Sequence, residues 1–227
     1  MHVLDNVIWQ ALTSRQTHLA QSNVKAAKFL SEVSMLAGIS EPDGSGFSDL
    51  ASLLRRGERV GLFLERVPQT QLELRLVTSA DLIQMVHDKL EPNQPPFESH
   101  KFLQLGESDV PEMLTLTQLT KPGPFNRRTH ELGDYFGIRI DGKLVAMAGE
   151  RLRVPRYTEI SAICTHPDFL GRGYASALTT MQIARIRSRE EIPFLHVLSA
   201  NRPAVGLYER LGFKTRQARK YVILEKL

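Results

Sequence analysis

The pattern of apolar and polar positions is clearest in the second half of the chain, where it predicts a hairpin. Two runs of alternating residues, 135–140 and 143–150, flank the dipeptide Asp141-Gly142. Asp-Gly between two such runs is a strong hairpin signal, because both residues tolerate the positive φ of a tight turn. A third strand is predicted over 158–165, directly after the hairpin. Three consecutive strands of this kind indicate an antiparallel meander.

Helical spacing appears on both sides of these strands. Ser108 or Asp109 is a candidate cap for a first helix, which Lys121-Pro122-Gly123-Pro124 stops. A second helix is predicted over 175–189, where apolar residues repeat at helical spacing. The remaining pattern predicts a strand at 194–199, a short helix at 204–211 and a last strand at 221–224. The order is helix, three strands, helix, strand, helix, strand, which is a mixed α/β sheet with a crossover helix.

The first half is harder to interpret and carries no chemical motif. Helices are predicted around 7–20, 48–56 and 79–88, and strands near 59–66 and 71–77. Stretches rich in glycine or proline at 41–46 and 91–96 predict loops, and the second is the better domain boundary. The chain is therefore divided into an N-terminal α/β lobe of unknown role, 1–98, and a second domain, 99–227. No internal repeat is visible.

Composition narrows the class of protein. The 227 residues are 42% hydrophobic and 24% charged, as in ordinary soluble domains, with a formal net charge of +4. No block of Lys and Arg stands out, so nucleic-acid binding is not expected. The single cysteine, Cys164, excludes an internal disulfide and a thiolate metal cluster, and suits a reducing cytosol. No signal peptide or membrane span is expected, and the predicted location is cytoplasmic.

The segment between the third strand and the long helix is the strongest candidate for a binding site. It includes Gly171-Arg172-Gly173-Tyr174-Ala175. Glycines let a backbone approach a ligand closely, and the first turn of a helix has unpaired N–H groups and partial positive charge. The loop is thus predicted to bind a phosphate or pyrophosphate. A dinucleotide-binding Rossmann motif is discounted, since it needs Gly-x-Gly-x-x-Gly early in a βαβ unit.

Two motifs in this half together resemble the GNAT superfamily of N-acetyltransferases. The window Leu170–Ala175 matches the superfamily's Gln/Arg-x-x-Gly-x-Gly/Ala motif, except that Leu170 replaces the usual polar residue. Asn-x-x-Ala-x-x-x-Tyr-x-x-x-Gly-Phe is present without a gap over 201–213. The resemblance is close over 156–214 and does not extend over 1–100. It implies a GNAT-like mixed, mostly antiparallel central sheet flanked by helices, so the fold class is α/β (α+β) with an additional N-terminal α/β lobe.

The resemblance implies acetyl-CoA as donor, a primary amine as acceptor, direct transfer in a ternary complex, and no metal. Backbone amides of 171–176 would hold the pyrophosphate, and the Ile163 amide would polarise the thioester oxygen. Glu159 is the candidate base, with a pKa expected to rise towards neutrality, and Tyr208 is the candidate acid for the thiolate. The cofactor-binding residues implied are Ile163, Cys164, Thr165, Leu170, Gly171, Arg172, Gly173, Tyr174, Ala175, Ser176, Asn201, Ala204 and Tyr208.

Plainer structural roles compete with these assignments. Tyr208 is also consistent with a core tyrosine, and Glu159 with a solvated carboxylate at a strand end. Cys164 is interpreted as a buried thiol, and His196 as a packed strand histidine in preference to a proton relay. The arginines at 185, 187 and 189, with Glu190 and Glu191, are interpreted as a solvated helix face.

Function stays open between an acetyltransferase and a non-catalytic acyl-CoA-binding or sensing module. A nucleic-acid-binding domain is a weaker alternative. The acceptor surface is expected around 122–128 and 155–157, with a contribution from the N-terminal lobe left open. The sequence does not identify the acceptor, the length of the acyl group or the oligomeric state.

Overall fold

The computed structural model describes residues 2–69, 73–88 and 101–227. The predicted loop at 91–96 and the predicted boundary at 98/99 lie outside the described residues. The α-helices of the described part are α1 (Val7–Leu12), α2 (Gly44–Leu53), α3 (Val110–Thr120), α4 (Tyr174–Ser188) and α5 (Arg202–Arg210). Its strands are β1 (Ala20–Ser22), β2 (Ala26–Phe29), β3 (Ala37–Ile39), β4 (Arg59–Leu64), β5 (Leu74–Val86), β6 (Leu103–Leu105), β7 (Tyr135–Ile140), β8 (Lys143–Val154), β9 (Tyr157–Thr165), β10 (Ile192–Leu198) and β11 (Lys214–Lys226).

The order of elements predicted for the second half is confirmed. Strands β7 and β8 form the hairpin, and Asp141 and Gly142 both take positive φ, 49° and 79°, as its tight turn requires. β9 pairs antiparallel with β8, and β10 pairs parallel with β9 after the crossover through α4. α3 ends at Thr120, where Lys121 adopts the left-handed conformation. The mixed, mostly antiparallel sheet flanked by helices is thus the observed fold.

The helix predicted over 79–88 is wrong, because these residues continue β5. β5 lies inside the sheet, with β10 on one side and β11 on the other. Leu82, Gln84 and Met85 are all buried, although they do not all point to the same face. A strand covered on both faces loses the strict alternation of a half-exposed strand, so its apolar residues also fit a helical period. The predicted helix over 7–20 is correspondingly short, and β1 begins at Ala20.

The first half repeats the architecture of the second half. β1, β2 and β3 form an antiparallel meander, a short loop leads into α2, whose first turn contains Gly44 and Gly46, and β4 follows. Gly61 of β4 forms a parallel bridge with Leu36, just before β3. β7, β8, β9, α4 and β10 follow the same order, which is a meander, a loop, a helix and a parallel strand. The similarity is topological, since no repeat is visible in the sequence.

The two halves exchange their final strands within one eight-stranded sheet. Its order is β4-β11-β5-β10-β9-β8-β7-β6. β5, from the first half, pairs with β10, whereas β11, from the second half, pairs with β4. β5 and β11 also pair antiparallel with each other, between β4 and β10. The first half therefore completes the sheet around β10, next to the candidate site.

Hydrophobic packing also crosses between the halves. Leu4, Ile8 and Leu12, from the N-terminal helical segment, share a buried core with Leu152 and Phe194.

The solvated face expected at the end of α4 is wrong in part, because two of its charged residues have partners inside the protein. The Arg189 guanidinium donates to the fully buried Glu150, and Glu191 accepts from Thr158 inside the protein. In the part of the chain that the structure describes, no helix is long and apolar enough to cross a membrane.

Candidate active site

A cleft opens where β9 and β10 separate. The two parallel strands pair only at their first residues, from Ile192 opposite Tyr157 to Phe194 opposite Glu159. Beyond that point the strands diverge, and the backbone groups on their facing edges have no ladder partner across the gap. Such edges can accept an extended ligand as a sheet accepts a further strand. The cleft has a volume of about 330 Å³.

A bulge in β9 shapes one wall of this cleft. On β8, Met147 and Gly149 are two residues apart, but their partners Cys164 and Ser161 are three apart. The additional residue is accommodated at Ala162, whose φ is +51°, which is unusual for a residue with a side chain. The bulge redirects the backbone next to Ile163, the residue whose amide was predicted to polarise a thioester.

The cleft lining includes six of the residues that the sequence predicted for cofactor binding. These are Ile163, Cys164, Thr165, Asn201, Ala204 and Tyr208. The glycine loop lies beyond the end of β9, after a short turn over Pro167–Phe169. Leu170, Gly171, Arg172, Gly173, Tyr174, Ala175 and Ser176 are therefore at the start of α4 and outside the cleft lining.

The start of α4 has the features of an anion site. Gly171 and Gly173 adopt positive φ, 75° and 79°, and no side chain caps the helix. A Cβ at either glycine would meet nothing within 4 Å, so the backbone conformation, and not a lack of space, requires glycine there. Ala177 makes the first backbone bond of the helix, to Gly173, so the amides before it have no intrahelical partner. The Arg172 guanidinium stacks over Phe169, with its carbon 4.9 Å from the ring centroid.

Tyr208 and Cys164 contribute two neutral groups to the cleft. Burial raises the pKa of Tyr208 to about 12 and the pKa of the Cys164 thiol to about 11. Both groups therefore hold their protons at neutral pH. A phenol that stays protonated can donate to a developing anion, whereas a thiol with a raised pKa is a poor nucleophile. The structure thus supports the interpretation of Cys164 as a buried thiol. Asn201 caps α5, its side-chain oxygen accepting from Ala204 N at 3.3 Å.

Glu159 does not face the cleft, and the expected rise in its pKa is wrong. Burial opposes ionisation, but the Arg151 guanidinium and His196 hold the pKa of Glu159 at about 2. Arg151 Nε and Nη2 donate to the two carboxylate oxygens at 2.8 and 2.6 Å, and Leu152 N donates to Oε2. His196 Nδ1 lies 2.6 Å from Oε1. The carboxylate is fully engaged, and its role as a base stays a prediction that no observation here tests.

His196 is fixed at both nitrogens. An ionised carboxylate only accepts, so Nδ1 carries the proton that it donates to Glu159. Burial lowers the pKa of His196, which leaves Nε2 unprotonated. Gln84 Nε2 lies 3.0 Å from this nitrogen and also donates to the carbonyl of Leu4. The Gln84 oxygen accepts from Arg216 at 2.8 Å, which fixes the orientation of the amide. The buried network therefore runs from Arg151 to Arg216 through His196.

The cleft lining also includes residues that sequence reasoning missed. Phe63 of β4 and Leu82 of β5 come from the first half, and Tyr221 lies on β11. The Phe63 ring lies 4.5 Å from the His196 ring and beneath the Arg151 guanidinium. Pro122, Gly123 and Pro124, which belong to the segment predicted for the acceptor surface, also line the cleft. The segment 155–157, also predicted for that surface, does not line the cleft, and Tyr157 instead contacts His2. Only the strand exchange brings Phe63 and Leu82 here, and no local sequence signal indicates it.

The comparisons with known proteins agree with this geometry. The family described as FR47-like protein matches residues 135–222, which span β7 to most of β11. A structure from Novosphingobium aromaticivorans, assigned as an acetyltransferase of the GNAT family, is 35% identical, covers 100% of both chains and has a TM-score of 0.92. Among curated proteins the comparison found no match.

More distant structures share the fold over nearly the full length. A GCN5-related N-acetyltransferase from Kribbella flavida is 15% identical, with 96% of this chain and 95% of that chain covered and a TM-score of 0.63. A GCN5-related N-acetyltransferase-like protein from Streptococcus suis is 16% identical, with 97% and 92% covered and a TM-score of 0.59. These two matches show the fold alone. Full-length similarity at 35% identity, together with the splayed strands and the glycine loop, shows that the chain belongs to the GNAT family.

Proposed function

We propose that this protein is an N-acetyltransferase that moves an acetyl group from acetyl-CoA directly to a primary amine in a ternary complex. The observation that carries the proposal is the uncapped start of α4, which follows the strand edge that opens into the cleft. The first feature suits a pyrophosphate and the second suits an extended pantetheine arm. Bound acetyl-CoA supplies the thioester that the acceptor attacks.

The residues of the second half would divide the work of holding the donor. Backbone amides from Gly171 to Ser176 would bind the pyrophosphate, with Arg172 adding charge to a phosphate. The edge of β9 at Ile163–Thr165 would pair with the pantetheine amides. The Ile163 amide, next to the bulge, would donate to the carbonyl oxygen as negative charge develops there. Asn201 and Ala204 would border the arm from the start of α5.

Tyr208 would supply the proton that the leaving group needs. In direct transfer the amine nitrogen forms a bond to the carbonyl carbon, and the bond from that carbon to sulfur breaks. The Tyr208 hydroxyl donates its proton to the departing thiolate. The amine releases one proton to solvent, and the Tyr208 phenolate takes up one proton from solvent, which restores the phenol. Its raised pKa keeps Tyr208 protonated before the reaction.

We propose that Glu159 acts as a positioning residue. Its carboxylate holds the Arg151 guanidinium and the His196 ring in the wall of the cleft, and both of these residues line the cleft. This assignment replaces abstraction of a proton by Glu159, because both of its oxygens already accept hydrogen bonds. An acceptor amine would then lose its proton without a carboxylate base.

The experiment is release of free CoA thiol from acetyl-CoA in the presence of small primary amines, with the acetylated product identified by mass spectrometry. Turnover supports the proposal. Binding of acetyl-CoA without turnover for any amine would indicate a sensing module instead. Tyr208→Phe should lower kcat by about 100- to 1,000-fold with little change in the Kd of CoA, the lower part of the range for general acids. Tyr221→Phe is the matched control, because among the described residues its hydroxyl donates a hydrogen bond to Met35 Sδ, away from the leaving group. Equal kcat values for the two variants would remove the acid role from Tyr208.

A further inference from the structure

We propose that the acceptor is a weakly basic amine, an α-amino group of an amino-acid amide or peptide, in preference to the ε-amine of lysine. This inference rests on the proposed function and identifies the class of acceptor. It follows from the charges that line the cleft and from the hydrogen bonds that occupy the groups nearest to it.

The described residues that line the cleft include no carboxylate. Their titratable side chains are Lys121, Arg151, Cys164, His196, Tyr208 and Tyr221. Lys121 and Arg151 are cationic, and burial keeps the thiol and both phenols neutral by raising their pKa values. The lining therefore offers positive or neutral groups to an incoming amine. Among the described lining residues, an incoming ammonium ion meets no group of opposite charge.

Glu159 and His196, the acidic and basic groups closest to the cleft, are already engaged. Both Glu159 oxygens accept from Arg151, so the carboxylate neutralises an internal cation. The only bare nitrogen of His196, Nε2, accepts from Gln84. Neither group can stabilise a substrate ammonium or remove its proton without first losing a buried partner. A buried group that loses its partner is costly, so the network resists such a change.

The cleft therefore selects for amines that are already uncharged when they bind. At pH 7 a lysine ε-amine, with a pKa near 10.4, is neutral in only about 0.04% of molecules, whereas an α-amine near 7.8 is neutral in roughly 14%. The ratio of the two fractions is about 350. Desolvation of the ammonium form without a counter-charge makes the charged fraction a poor ligand. The difference in basicity should then appear almost entirely in kcat/KM.

Two isomers of acetylated lysinamide provide the test. Nε-acetyl-lysinamide presents a free α-amine and Nα-acetyl-lysinamide a free ε-amine, while their atoms and their product are the same. At pH 7 we expect kcat/KM to be at least 100-fold higher for the free α-amine. We also expect kcat/KM for the ε-amine to rise about tenfold per pH unit from 7 to 9. Equal rates, or preference for the ε-amine, would overturn the inference and leave the proposed function standing. No thiol release with either isomer between pH 7 and 9 would count against both.

A variant that adds the missing charge tests the cause of the selectivity. Ser161 lines the cleft on β9, on the same side as Arg151. Ser161→Asp should raise the ratio of ε-amine to α-amine kcat/KM by at least tenfold, whereas Ser161→Asn, of the same shape without the charge, should not. CoA binding by both variants shows that they are folded. An unchanged ratio in the folded Asp variant would mean that charge does not set the selectivity.

Discussion

The two halves of this molecule have the same topology but opposite chemistry at the starts of α2 and α4. In the second half, Gly171 and Gly173 adopt positive φ and no side chain caps α4. In the first half, the Asp43 carboxylate caps α2, accepting from Gly46 N at 2.8 Å and from the Ser45 hydroxyl at 2.7 Å. The backbone hydrogen bond from Gly46 lowers the pKa of Asp43, so this carboxylate is ionised at neutral pH. The first helix start already holds an anion, which the protein itself supplies.

The space around the glycines also differs between the two helix starts. A Cβ at Gly46, in the first turn of α2, would lie 2.2 Å from the carbonyl oxygen of Glu41, so the preceding loop folds back against the helix start. At Gly171 and Gly173 a Cβ would meet nothing within 4 Å. The comparison teaches that the meander, loop, helix and strand are a scaffold that does not by itself bind a ligand. Under the proposed function, the uncapped start of α4 would hold the pyrophosphate, whereas Asp43 already caps the start of α2.

The first prediction places a carboxylate at the open helix start. Gly173→Asp should weaken the binding of CoA at least 1,000-fold, as measured by calorimetry. The added charge would compete with phosphate for the amides of α4, and φ at residue 173, +79°, disfavours residues with a side chain. Gly44→Asp is the matched control in the first half, where a Cβ meets nothing within 4 Å. Its Kd for CoA should stay within twofold of wild type, and a comparable loss would mean that the capped loop also binds CoA.

The second prediction concerns the ion network of the second half. Glu159→Gln should lower the free energy of unfolding by about 3 kcal/mol at pH 7, because it leaves the buried Arg151 without a counter-charge. Urea unfolding gives the measurement. Glu58→Gln is the control in the first half, where the carboxylate pairs with Lys28 but remains partly exposed. We expect a smaller loss there. A positioning role further predicts that the Glu159 variant loses activity at all pH values between 6 and 9, whereas a base would lose it chiefly at low pH.

The pH dependence of stability follows from the direction of the pKa shift. The pKa of Glu159 is about 2 in the folded protein and 4.5 as the ordinary value, so its ionised form favours folding. This contribution is present above about pH 4.5 and is lost as the pH falls towards 2. The difference in stability between wild type and Glu159→Gln should therefore shrink below pH 4.5. A difference that stays constant down to pH 3 would mean that the ionised carboxylate is not the stabilising form.

Local signals in the sequence predicted most of the second half. Asp141-Gly142 specified a hairpin, the helical spacing after Gly173 specified α4, and the motif at 201–213 specified α5 and the position of Tyr208. These features depend on neighbours in the chain. The residues predicted around the cleft also came from these local motifs, and six of them do line it.

Features that depend on distant partners could not be predicted. The second part of β5, residues 79–86, was predicted as a helix, because what makes it a strand is backbone pairing with β10 and β11, which lie more than a hundred residues away. The pKa of Glu159 falls because Arg151, across the β8–β9 turn, and His196 converge on it. Nothing in the sequence around either residue shows that convergence. The topological repeat was also hidden in the sequence, since the residues at the starts of α2 and α4 differ.

The smallest effect that we predict tests whether the first half takes part in recognition of the acceptor. Phe63, on β4, packs against His196 and beneath Arg151 in the wall of the cleft. Phe63→Leu should raise KM for the acceptor about 3- to 10-fold and leave the Kd of CoA unchanged, because it removes one ring from that wall. Phe47→Leu, in the core under α2, is the control, since it alters packing of the first half without touching the cleft. Steady-state kinetics compares KM for the two variants at a temperature at which both are fully folded. If both variants shift KM equally, the first half acts only through stability. If only Phe63→Leu does, the capped half, which holds no pyrophosphate of its own, supplies the acceptor wall for its partner half.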